Sequence, residues 1–580
     1  METKMRNHAY KILLFSIAIL SSLYCISQQR FKEVSLQAGI NHQFIVFEGT
    51  FGGGAAAADF NNDGYEDIFI AGGKADDALY INNKNGTFTN IYHTSGLKTK
   101  VKYITQGAAC ADVNKDGWID IYVTNITTDS IKEIPRAPNR LFINNHNSTF
   151  TDATENFKIG GYQSFSTGAV FGDINADGYP DLFVGNYFKE YTGELNILND
   201  AIIVGSNQMA KSYLFLNVDG KYFKDLSDKY GITYKGFGFG GVFSDFDNDS
   251  DIDLLINNDF GYKSTPNLLL QNEYPKKTLV DVANKHGMAL RINAMGTAVG
   301  DYNNDGFIDY FVTNIRENKF MVNQGPGKQF INKSKELGTA VNRLQDEFGR
   351  FTPISWGANF ADFDNDGDLD LFVANGCLNP NVEPNPDSYF ENQGTTFTEK
   401  AKEKGLADRG IGRGSIYLDY DNDGDLDLLV VNQKPISSSF NDATMTRLFR
   451  NDSASGNWIK VSLRGIEADF NGIGSRIEVV SGKQRWIREI DGGSSHESQN
   501  SMVAHFGIGN SKSVDSIIVK WIGGKEQVIL NQKINTLIKV VEAGSRKKTF
   551  SVIKIITMGF IILLLLTFFL KKTNTTQGIN

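Results

Sequence analysis

The chain has 580 residues, of which 41% are hydrophobic and 22% charged, with 58 glycines and 11 prolines. This composition excludes a disordered or collagen-like chain, and the length exceeds what one ordinary core organises. The formal net charge of −9 leaves no broad basic surface, so no nucleic-acid partner is expected, and three cysteines (Cys25, Cys110 and Cys377) are too few for a disulfide framework.

The first 27 residues have the order of a secretory signal peptide. Lys4, Arg6 and Lys11 precede or enter the apolar run 12–20, and small and polar residues follow it. We expect residues 1–27 to be cleaved and the protein to be exported, to the periplasm or the outside. An uncleaved amino-terminal anchor is one alternative, and attachment of a lipid to Cys25 is another.

A nine-residue acidic pattern then occurs seven times, with the same flanks each time. Small residues precede it, as in residues 54–58, and predict a strand crowded near a central axis. An apolar run follows it, as in residues 182–184, and predicts a strand buried on both faces. A third strand ends in an Asn turn (141–145), and a fourth begins with an aromatic residue (150–152).

Four strands repeated seven times predict an all-β fold, a seven-bladed β-propeller over residues 31–453. The last repeat stops at residues 448–451 without its fourth strand, and residues 31–35 match the missing piece. We therefore expect the amino terminus to complete the seventh blade, which a linear solenoid of the same repeats would not need.

The acidic pattern suits calcium, which binds six to eight oxygens. Side chains at positions 1, 3, 5 and 9 and the carbonyl at position 7 can wrap one ion, and glycine at position 6 allows the sharp turn. We call the seven copies the metal loops, and they predict up to seven calcium sites. The predicted ligands are Asp59, Asn61, Asp63, Tyr65 and Asp67 in loop 1; Asp112, Asn114, Asp116, Trp118 and Asp120 in loop 2; Asp173, Asn175, Asp177, Tyr179 and Asp181 in loop 3; Asp245, Asp247, Asp249, Asp251 and Asp253 in loop 4; Asp301, Asn303, Asp305, Phe307 and Asp309 in loop 5; Asp362, Asp364, Asp366, Asp368 and Asp370 in loop 6; and Asp419, Asp421, Asp423, Asp425 and Asp427 in loop 7.

Simple turn formation is the competing interpretation of these loops, because Asp and Asn readily cap local backbone. Turns do not need three or four carboxylates in nine residues, which repel one another without a cation. Loop 4 carries Ser250 in place of glycine, so its occupancy is the least secure, although Asp251 adds a compensating carboxylate. Magnesium, which usually keeps part of its water shell, fits less well.

Residues 455–542 predict a second, smaller all-β domain, with strand-like runs at 458–461, 476–479, 486–490 and 517–521. It contains His496, Ser498, His505 and Asp515, which are the residue types of a hydrolase triad. No nucleophile-elbow pattern accompanies them, so turn or core roles are expected. In the propeller, the glycine-rich run 236–241 is expected to be an innermost strand rather than a phosphate-binding loop.

The apolar run at residues 552–570 predicts a membrane anchor, followed by a short tail (571–580). Arg546, Lys547 and Lys548 precede this span, which opposes the positive-inside rule for an exported domain. Long domains cross membranes largely regardless of charge, so we expect tethering at the carboxyl terminus. A removable sorting tail is the alternative.

Each metal loop with its flanking strands resembles the FG-GAP or VCBS repeat, the calcium-binding blade also found in integrin α subunits. Residues 472–477, 498–500, 505–509 and 514–521 resemble the ASPIC/UnbV domain. The pairing of the two is similar to the cartilage acidic protein family. This resemblance implies an exported propeller with a small β domain, and the activity of that family is poorly defined.

Long connections place a ligand site on the face opposite the metal loops. They span about 185–211, 338–355, 375–388 and 432–446, and they include Tyr187, Tyr191, Arg343 and Arg350. The first hypothesis is a non-enzymatic binding or adhesion module for a protein or glycan. The alternatives are a glycan-active enzyme in the central cleft and an assembly factor for a surface complex.

Overall fold

The computed structural model describes residues 31–46, 51–99, 103–126, 138–160, 165–189, 208–341, 344–346, 349–378, 385–435, 444–452 and 455–544. The predicted signal peptide and the predicted anchor lie outside the described residues. Within them the fold is all-β, as expected, with two helices of four residues, α1 (Ala283–His286) and α2 (Ala401–Lys404). No helix in this part of the chain is long and apolar enough to cross a bilayer.

Six groups of four consecutive strands form antiparallel sheets, which we number in chain order. Sheet 1 contains β3 (Ala55–Ala58), β4 (Asp67–Ile70), β5 (Ala78–Asn82) and β6 (Phe88–Asn90); sheet 2 contains β7 (Thr105–Ala111), β8 (Asp120–Asn125), β9 (Arg140–Asn144) and β10 (Phe150–Asp152); sheet 3 contains β11 (Phe165–Gly172), β12 (Asp181–Phe188), β13 (Tyr213–Val218) and β14 (Tyr222–Asp225). Sheet 4 contains β15 (Phe237–Ser244), β16 (Asp253–Asp259), β17 (Leu268–Asn272) and β18 (Leu279–Asp281); sheet 5 contains β19 (Thr297–Gly300), β20 (Asp309–Val312), β21 (Lys319–Val322) and β22 (Ile331–Asn332); sheet 6 contains β25 (Ser355–Ala361), β26 (Asp370–Asn375), β27 (Ser388–Asn392) and β28 (Phe397–Glu399).

Sheet 7 is assembled from both ends of the repeat region. It contains β29 (Gly412–Leu418), β30 (Asp427–Lys434) and β31 (Arg447–Asn451), and β1 (Phe31–Glu33) pairs antiparallel with β31. The register joins Phe31 to Asn451 and Glu33 to Phe449, so the amino-terminal strand pairs with the last repeat strand, as the sequence predicts. The short strand β2 (Phe44–Ile45) adds parallel to β30, and β23 (Leu344–Asp346) with β24 (Gly349–Phe351) forms a separate hairpin.

Neighbouring sheets pack face to face through their apolar side chains. Ile68 of sheet 1 lies in one cluster with Leu429 of sheet 7, and Leu254 of sheet 4 lies with Phe183 of sheet 3. Along the chain, the first strand of each sheet lies beside the first strand of the next, and β29 lies beside β3. The run 236–241 enters β15, the first strand of sheet 4, as the sequence predicts.

Two further sheets follow the repeats. One contains β32 (Asn457–Arg464), β35 (Ala504–Gly509) and β38 (Leu537–Val541), and the other contains β33 (Arg476–Ser481), β34 (Gln484–Glu489), β36 (Val514–Lys520) and β37 (Glu526–Gln532). We call residues 455–541 the C-terminal domain. The sequence predicts four of these seven strands and misses β35, β37 and β38. Ile459, Phe506 and Trp521 share a buried cluster with sheets 1 to 3, so the C-terminal domain packs on the repeats.

Candidate metal-binding loops and the C-terminal domain

All seven metal loops share one backbone conformation. In each of them the amide at position 6 donates to Oδ2 of the position-1 aspartate over 2.7–3.0 Å. Position 4 is left-handed in every copy, with φ between 52° and 64°. The six position-6 glycines have φ between 87° and 104°, which is costly for any residue with a Cβ.

The position-9 aspartate of every loop is buried at the start of the second strand of its sheet, and its carboxylate is hydrogen-bonded to the third strand. Its Oδ1 accepts the backbone N–H of an asparagine at or next to the end of the third strand, over 2.7–2.9 Å. These pairs are Asp67 with Asn82, Asp120 with Asn144, Asp181 with Asn217, Asp253 with Asn272, Asp309 with Asn323, Asp370 with Asn392, and Asp427 with Asn451. Because burial and this hydrogen bond fix each carboxylate, the loops offer preorganised oxygen donors.

The loops with aspartate at position 3 bring their carboxylates closest together. In loop 4 (Asp245, Asp247 and Asp253), loop 6 (Asp362, Asp364 and Asp366) and loop 7 (Asp419, Asp421 and Asp427), one oxygen from each of three residues lies within 4.8 Å of the others. Several of these buried oxygens accept no hydrogen bond: Asp247 Oδ1, Asp419 Oδ1 and Asp421 Oδ1. Orphaned buried oxygens in a cluster fit a hard divalent cation.

Burial disfavours the ionised form of aspartates in the other metal loops as well. It raises the pKa of Asp67 to about 8 and the pKa of Asp112 and Asp173 to about 7. Neighbouring carboxylates such as Asp177 raise the pKa of Asp173 further, because like charges disfavour ionisation. A bound cation would oppose both shifts and lower these pKa values, because it stabilises the ionised carboxylates.

Loop 4 does not stand apart from the others. Ser250 adopts φ 75°, close to the glycines it replaces, and its amide makes the same bond to Asp245 Oδ2 at 3.0 Å. Asp251 Oδ1 is also buried without a hydrogen-bond donor. The lower occupancy expected for this loop stays a prediction.

Position 7 carries several contacts besides its predicted carbonyl ligand. Asp368 Oδ1 accepts from Asn304 at 3.0 Å, and Asp425 Oδ1 accepts from Asn365 at 2.7 Å, so each joins its loop to the preceding one. The Trp118 ring stacks 5.0 Å from His146. The metal role of the position-7 residues stays a prediction.

Asparagine side chains connect neighbouring loops, a function that the sequence pattern alone does not reveal. The Nδ2 of each third-strand asparagine donates to the position-2 carbonyl of the loop before its own over 2.7–3.0 Å, and Asn82 of sheet 1 reaches Tyr420 in loop 7. Position-4 asparagines add a second set, including Asn62 to Gly117 O at 2.9 Å and Asn422 to Gly64 O at 3.1 Å. The recurrence of Asn at the same place in every repeat is the signal that points to them.

The C-terminal domain lies on the metal loops. Lys460 Nζ is 2.5 Å from Asp419 Oδ2 and 2.9 Å from Asn422 Oδ1 in loop 7. Arg476 contacts Asn248 Oδ1 in loop 4 and donates to the Gly306 carbonyl in loop 5 at 2.5 Å. The domain therefore covers the acidic face and supplies positive charge to it.

Residues 491–501 of the C-terminal domain, which we call the plug loop, lie among the first strands of the seven sheets. The Gln499 amide donates to Ala55 O at 2.9 Å, and the Ser495 amide donates to Thr297 O at 2.8 Å. Gly492 O accepts from the Phe171 amide at 2.8 Å, and Asn500 Oδ1 accepts from the Tyr417 amide at 3.0 Å. Sheets 1, 3, 5 and 7 thus bond directly to one loop.

The small residues of the first strands make room for the plug loop. A Cβ on Gly54 would lie 1.9 Å from Glu497 O, and one on Gly296 would lie 2.5 Å from Ser495 O. The sequence predicts crowding at this place, and the structure identifies the crowding group as the chain's own C-terminal domain.

Aromatic side chains also fill the space among the first strands, beside the plug loop. Phe51, Phe239 and Trp356 pack together there, with the His496 ring 5.1 Å from Trp356 and 5.5 Å from Phe239. Tyr187 belongs to the same buried cluster, and its hydroxyl donates to Asp259 Oδ2 at 2.6 Å. The expectation that Tyr187 is a surface ligand-binding residue is therefore wrong, because the ring is needed to fill this apolar layer. Tyr191 and Arg343 lie outside the described residues, as does the side chain of Arg350.

The residue types of a hydrolase triad are not brought together. Nε2 of His505 donates to Gly424 O at 2.9 Å, and Ser498 Oγ donates to His496 O at 2.8 Å. Asp515 accepts the Gly482 amide at a hairpin turn, at 2.7 Å. The expected turn and core roles of these residues are confirmed.

Comparisons with known sequences agree with the resemblance. The FG-GAP-like repeat profile matches residues 59–123, 126–184, 301–373 and 362–430, and the ASPIC and UnbV profile matches residues 465–547. Cartilage acidic protein 1 of Mus musculus is 23% identical over 510 residues, which is 84% of this chain and 73% of that protein. The Xenopus tropicalis protein of the same name is 24% identical over the same shares.

Solved structures give weaker likenesses. An Agrocybe aegerita lectin that recognises non-reducing terminal N-acetylglucosamine is 15% identical, with a TM-score of 0.36 over 60% of this chain and 79% of that one. A Bacillus licheniformis rhamnogalacturonan lyase is 11% identical, with a TM-score of 0.35 over 73% and 76%. Scores this low carry no functional information. By its sequence, the chain carries FG-GAP-like repeats followed by an ASPIC and UnbV domain.

Proposed function

We propose that the protein is an exported calcium-binding β-propeller of seven closed blades that serves as a non-enzymatic binding or adhesion module. Seven sheets whose first strands lie side by side, with β29 beside β3, support the closed form. Closure also accounts for the contact of Asn82 with Tyr420, which joins the first repeat to the last at 2.7 Å.

Calcium would be held by the predicted ligands of the metal loops. The single observation that carries this part is the clustering of carboxylates in loops 4, 6 and 7, with buried oxygens in loops 4 and 7 that accept no hydrogen bond. The ion would supply positive charge to these carboxylates and fix the loop backbone, which is a structural role because each loop wraps its own ion.

A ligand would bind on the face opposite the metal loops. The C-terminal domain covers the metal-loop face, and the plug loop with its aromatic layer fills the space between the first strands. The long connections that the sequence predicts for the opposite face are the surface that we propose for a protein or glycan. The filled centre also disfavours a central catalytic cleft.

A glycan array probed with the full-length protein, with calcium or with EGTA, tests this function. We expect calcium-dependent binding without cleavage of the bound glycan. Cleavage products would favour the glycan-active enzyme. Absence of glycan binding together with a specific protein recovered by pull-down would favour the assembly factor. Fractionation of cells would test export and tethering through residues 552–570.

A further inference from the structure

The C-terminal domain contacts the metal loops through their backbone shape as well as their charge. The Trp458 ring fits against loop 7 so closely that a Cβ on Gly424 would lie 1.9 Å from it. Trp486 fits against loop 6 in the same way, where a Cβ on Gly367 would lie 2.7 Å from Nε1. Such contacts exist only while the loops keep this one conformation.

Basic side chains of the C-terminal domain contact three of the metal loops. Lys460 bonds to loop 7, and Arg476 joins loop 4 to loop 5. Both side chains are nearly buried, with Lys460 and Arg476 each 6% exposed. Breaking such contacts is costly when it leaves a buried charge unpaired, so docking is sensitive to small movements of the loops.

Each metal loop holds three or four carboxylates that repel one another unless a cation neutralises them. In loop 7, Asp419, Asp421 and Asp427 lie within 4.8 Å of one another, and this is the loop that receives both Lys460 and Trp458. Loss of a cation would therefore disturb the surface on which the C-terminal domain is seated.

The plug loop is tied to that seating, because it connects two strands of the C-terminal domain, β34 and β35. Its hydrogen bonds to the first strands persist only while the domain is docked. We propose that divalent cations in the metal loops act as a latch: their binding holds the C-terminal domain docked and the plug loop inserted, and their removal releases both. The latch rests on the proposed calcium binding.

Hydrogen exchange on the full-length protein tests the latch. The amides of Ser495 and Gln499 donate across the interface to Thr297 O and Ala55 O, so their protection reports insertion directly. We expect these amides to exchange about tenfold faster or more in EGTA than in millimolar CaCl2. Amides within β20 and β26 should remain protected, because the latch releases the plug loop without unfolding the sheets.

Native mass spectrometry of the same samples separates the possible failures. Calcium bound with unchanged exchange at Ser495 and Gln499 would overturn the latch and leave the proposed calcium binding intact. Absence of bound calcium would overturn both. Loss of protection in β20 and β26 together with the plug loop would replace the latch by global unfolding.

Substitutions in the C-terminal domain provide a second measurement. Arg476→Ala removes the contact with loops 4 and 5 without touching a predicted metal ligand. With saturating calcium, we expect several-fold faster exchange at Ser495 and Gln499. Lys483→Ala, at the exposed turn between β33 and β34, removes an equal charge away from the loops and should leave exchange unchanged. Equal behaviour of the two variants would contradict the latch.

Discussion

At the scale of single residues, the third-strand asparagines do more than end a strand. Asn144 shows the pattern: its amide donates to Asp120, and its Nδ2 donates to Phe60 O at 2.9 Å and Ile119 O at 3.1 Å. The backbone amide of this residue therefore holds a predicted metal ligand, and its side chain bonds to two successive loops. An apolar side chain of similar size cannot replace these bonds.

Asn144→Leu should destabilise the protein by about 2–4 kcal/mol, because it leaves two buried carbonyls without donors. Urea unfolding monitored by tryptophan fluorescence measures the change. Asn145→Leu, at the exposed neighbouring position, is the control and should cost less than about 1 kcal/mol. Equal losses in both variants would contradict the bridging role of Asn144.

Glu497 in the plug loop is a second residue whose environment decides its chemistry. It is 4% exposed, and neither carboxylate oxygen has a hydrogen-bond partner. Burial raises its pKa to about 8, although the charge of Arg413 opposes this shift. His496 Nε2 lies 3.8 Å from it and stays neutral near pH 7, because burial lowers the pKa of His496 to about 4.

Glu497→Gln should raise the melting temperature more at pH 8 than at pH 5. The folded pKa of Glu497 lies above its unfolded value near 4.5, so its contribution to stability is complete below that value and is lost as pH rises through 8. Between these limits the loss approaches about 1.4 kcal/mol per pH unit. Thermal melts from pH 5 to pH 8 measure it, with the exposed Glu526→Gln as control. Parallel curves for Glu497→Gln and the wild type would show that the pKa of Glu497 is the same in the folded and unfolded states.

At the scale of elements, glycines at the first strands leave the space that the plug loop occupies. Gly54 has no positive φ, so alanine is compatible with its backbone, and the obstacles to the added Cβ are Glu497 O at 1.9 Å and the Gly107 Cα at 2.8 Å. The strand composition is therefore explained by a segment far away in the sequence.

Gly54→Ala should displace the plug loop and destabilise the protein by about 1–3 kcal/mol, because the added methyl group meets rigid backbone. Thermal melting and hydrogen exchange at Gln499 measure the two effects. Gly544→Ala, where nothing lies within 4 Å of the added Cβ, should behave as wild type. A Gly54→Ala protein with normal protection at Gln499 would show that the strand can shift to accept the methyl group.

At the scale of the whole molecule, metal binding and folding should be linked. Each independent site at free calcium near 100 times its dissociation constant contributes about 2.7 kcal/mol, so several sites give a large total. The carboxylates that gain from the ion are those whose pKa burial raises, Asp67 to about 8 and Asp112 to about 7. Protons and calcium therefore compete for the same oxygens.

Chelation by EGTA should lower the melting temperature by roughly 10 °C or more at pH 7.5 and by less at pH 5. Without metal, the protein loses stability as pH rises through the raised pKa values of these aspartates. Calcium offsets this loss, so the difference in melting temperature between calcium and EGTA grows with pH. Differential scanning fluorimetry at both pH values measures it, and magnesium in place of calcium should restore less. A melting temperature that is the same in EGTA and calcium at pH 7.5 would contradict the structural role of the ion.

Much of the architecture follows from local sequence. The seven acidic patterns, the apolar second strands and the Asn turns each arise from residues within about ten positions, and strand formation and turn geometry depend on such short-range preferences. Even the pairing of β1 with β31 is predictable, because the last repeat lacks its fourth strand and residues 31–35 match the missing piece.

The sequence by itself thus determined the all-β repeats, their acidic loops and the second β domain. Only the tertiary structure decided that Glu497 and His496 lie among the first strands, that Tyr187 is buried and that Lys460 reaches Asp419. These contacts join residues that are far apart in the chain, and no local preference encodes them. They depend on which surfaces meet when the C-terminal domain packs on the repeats, and that is settled by burial and steric fit in three dimensions.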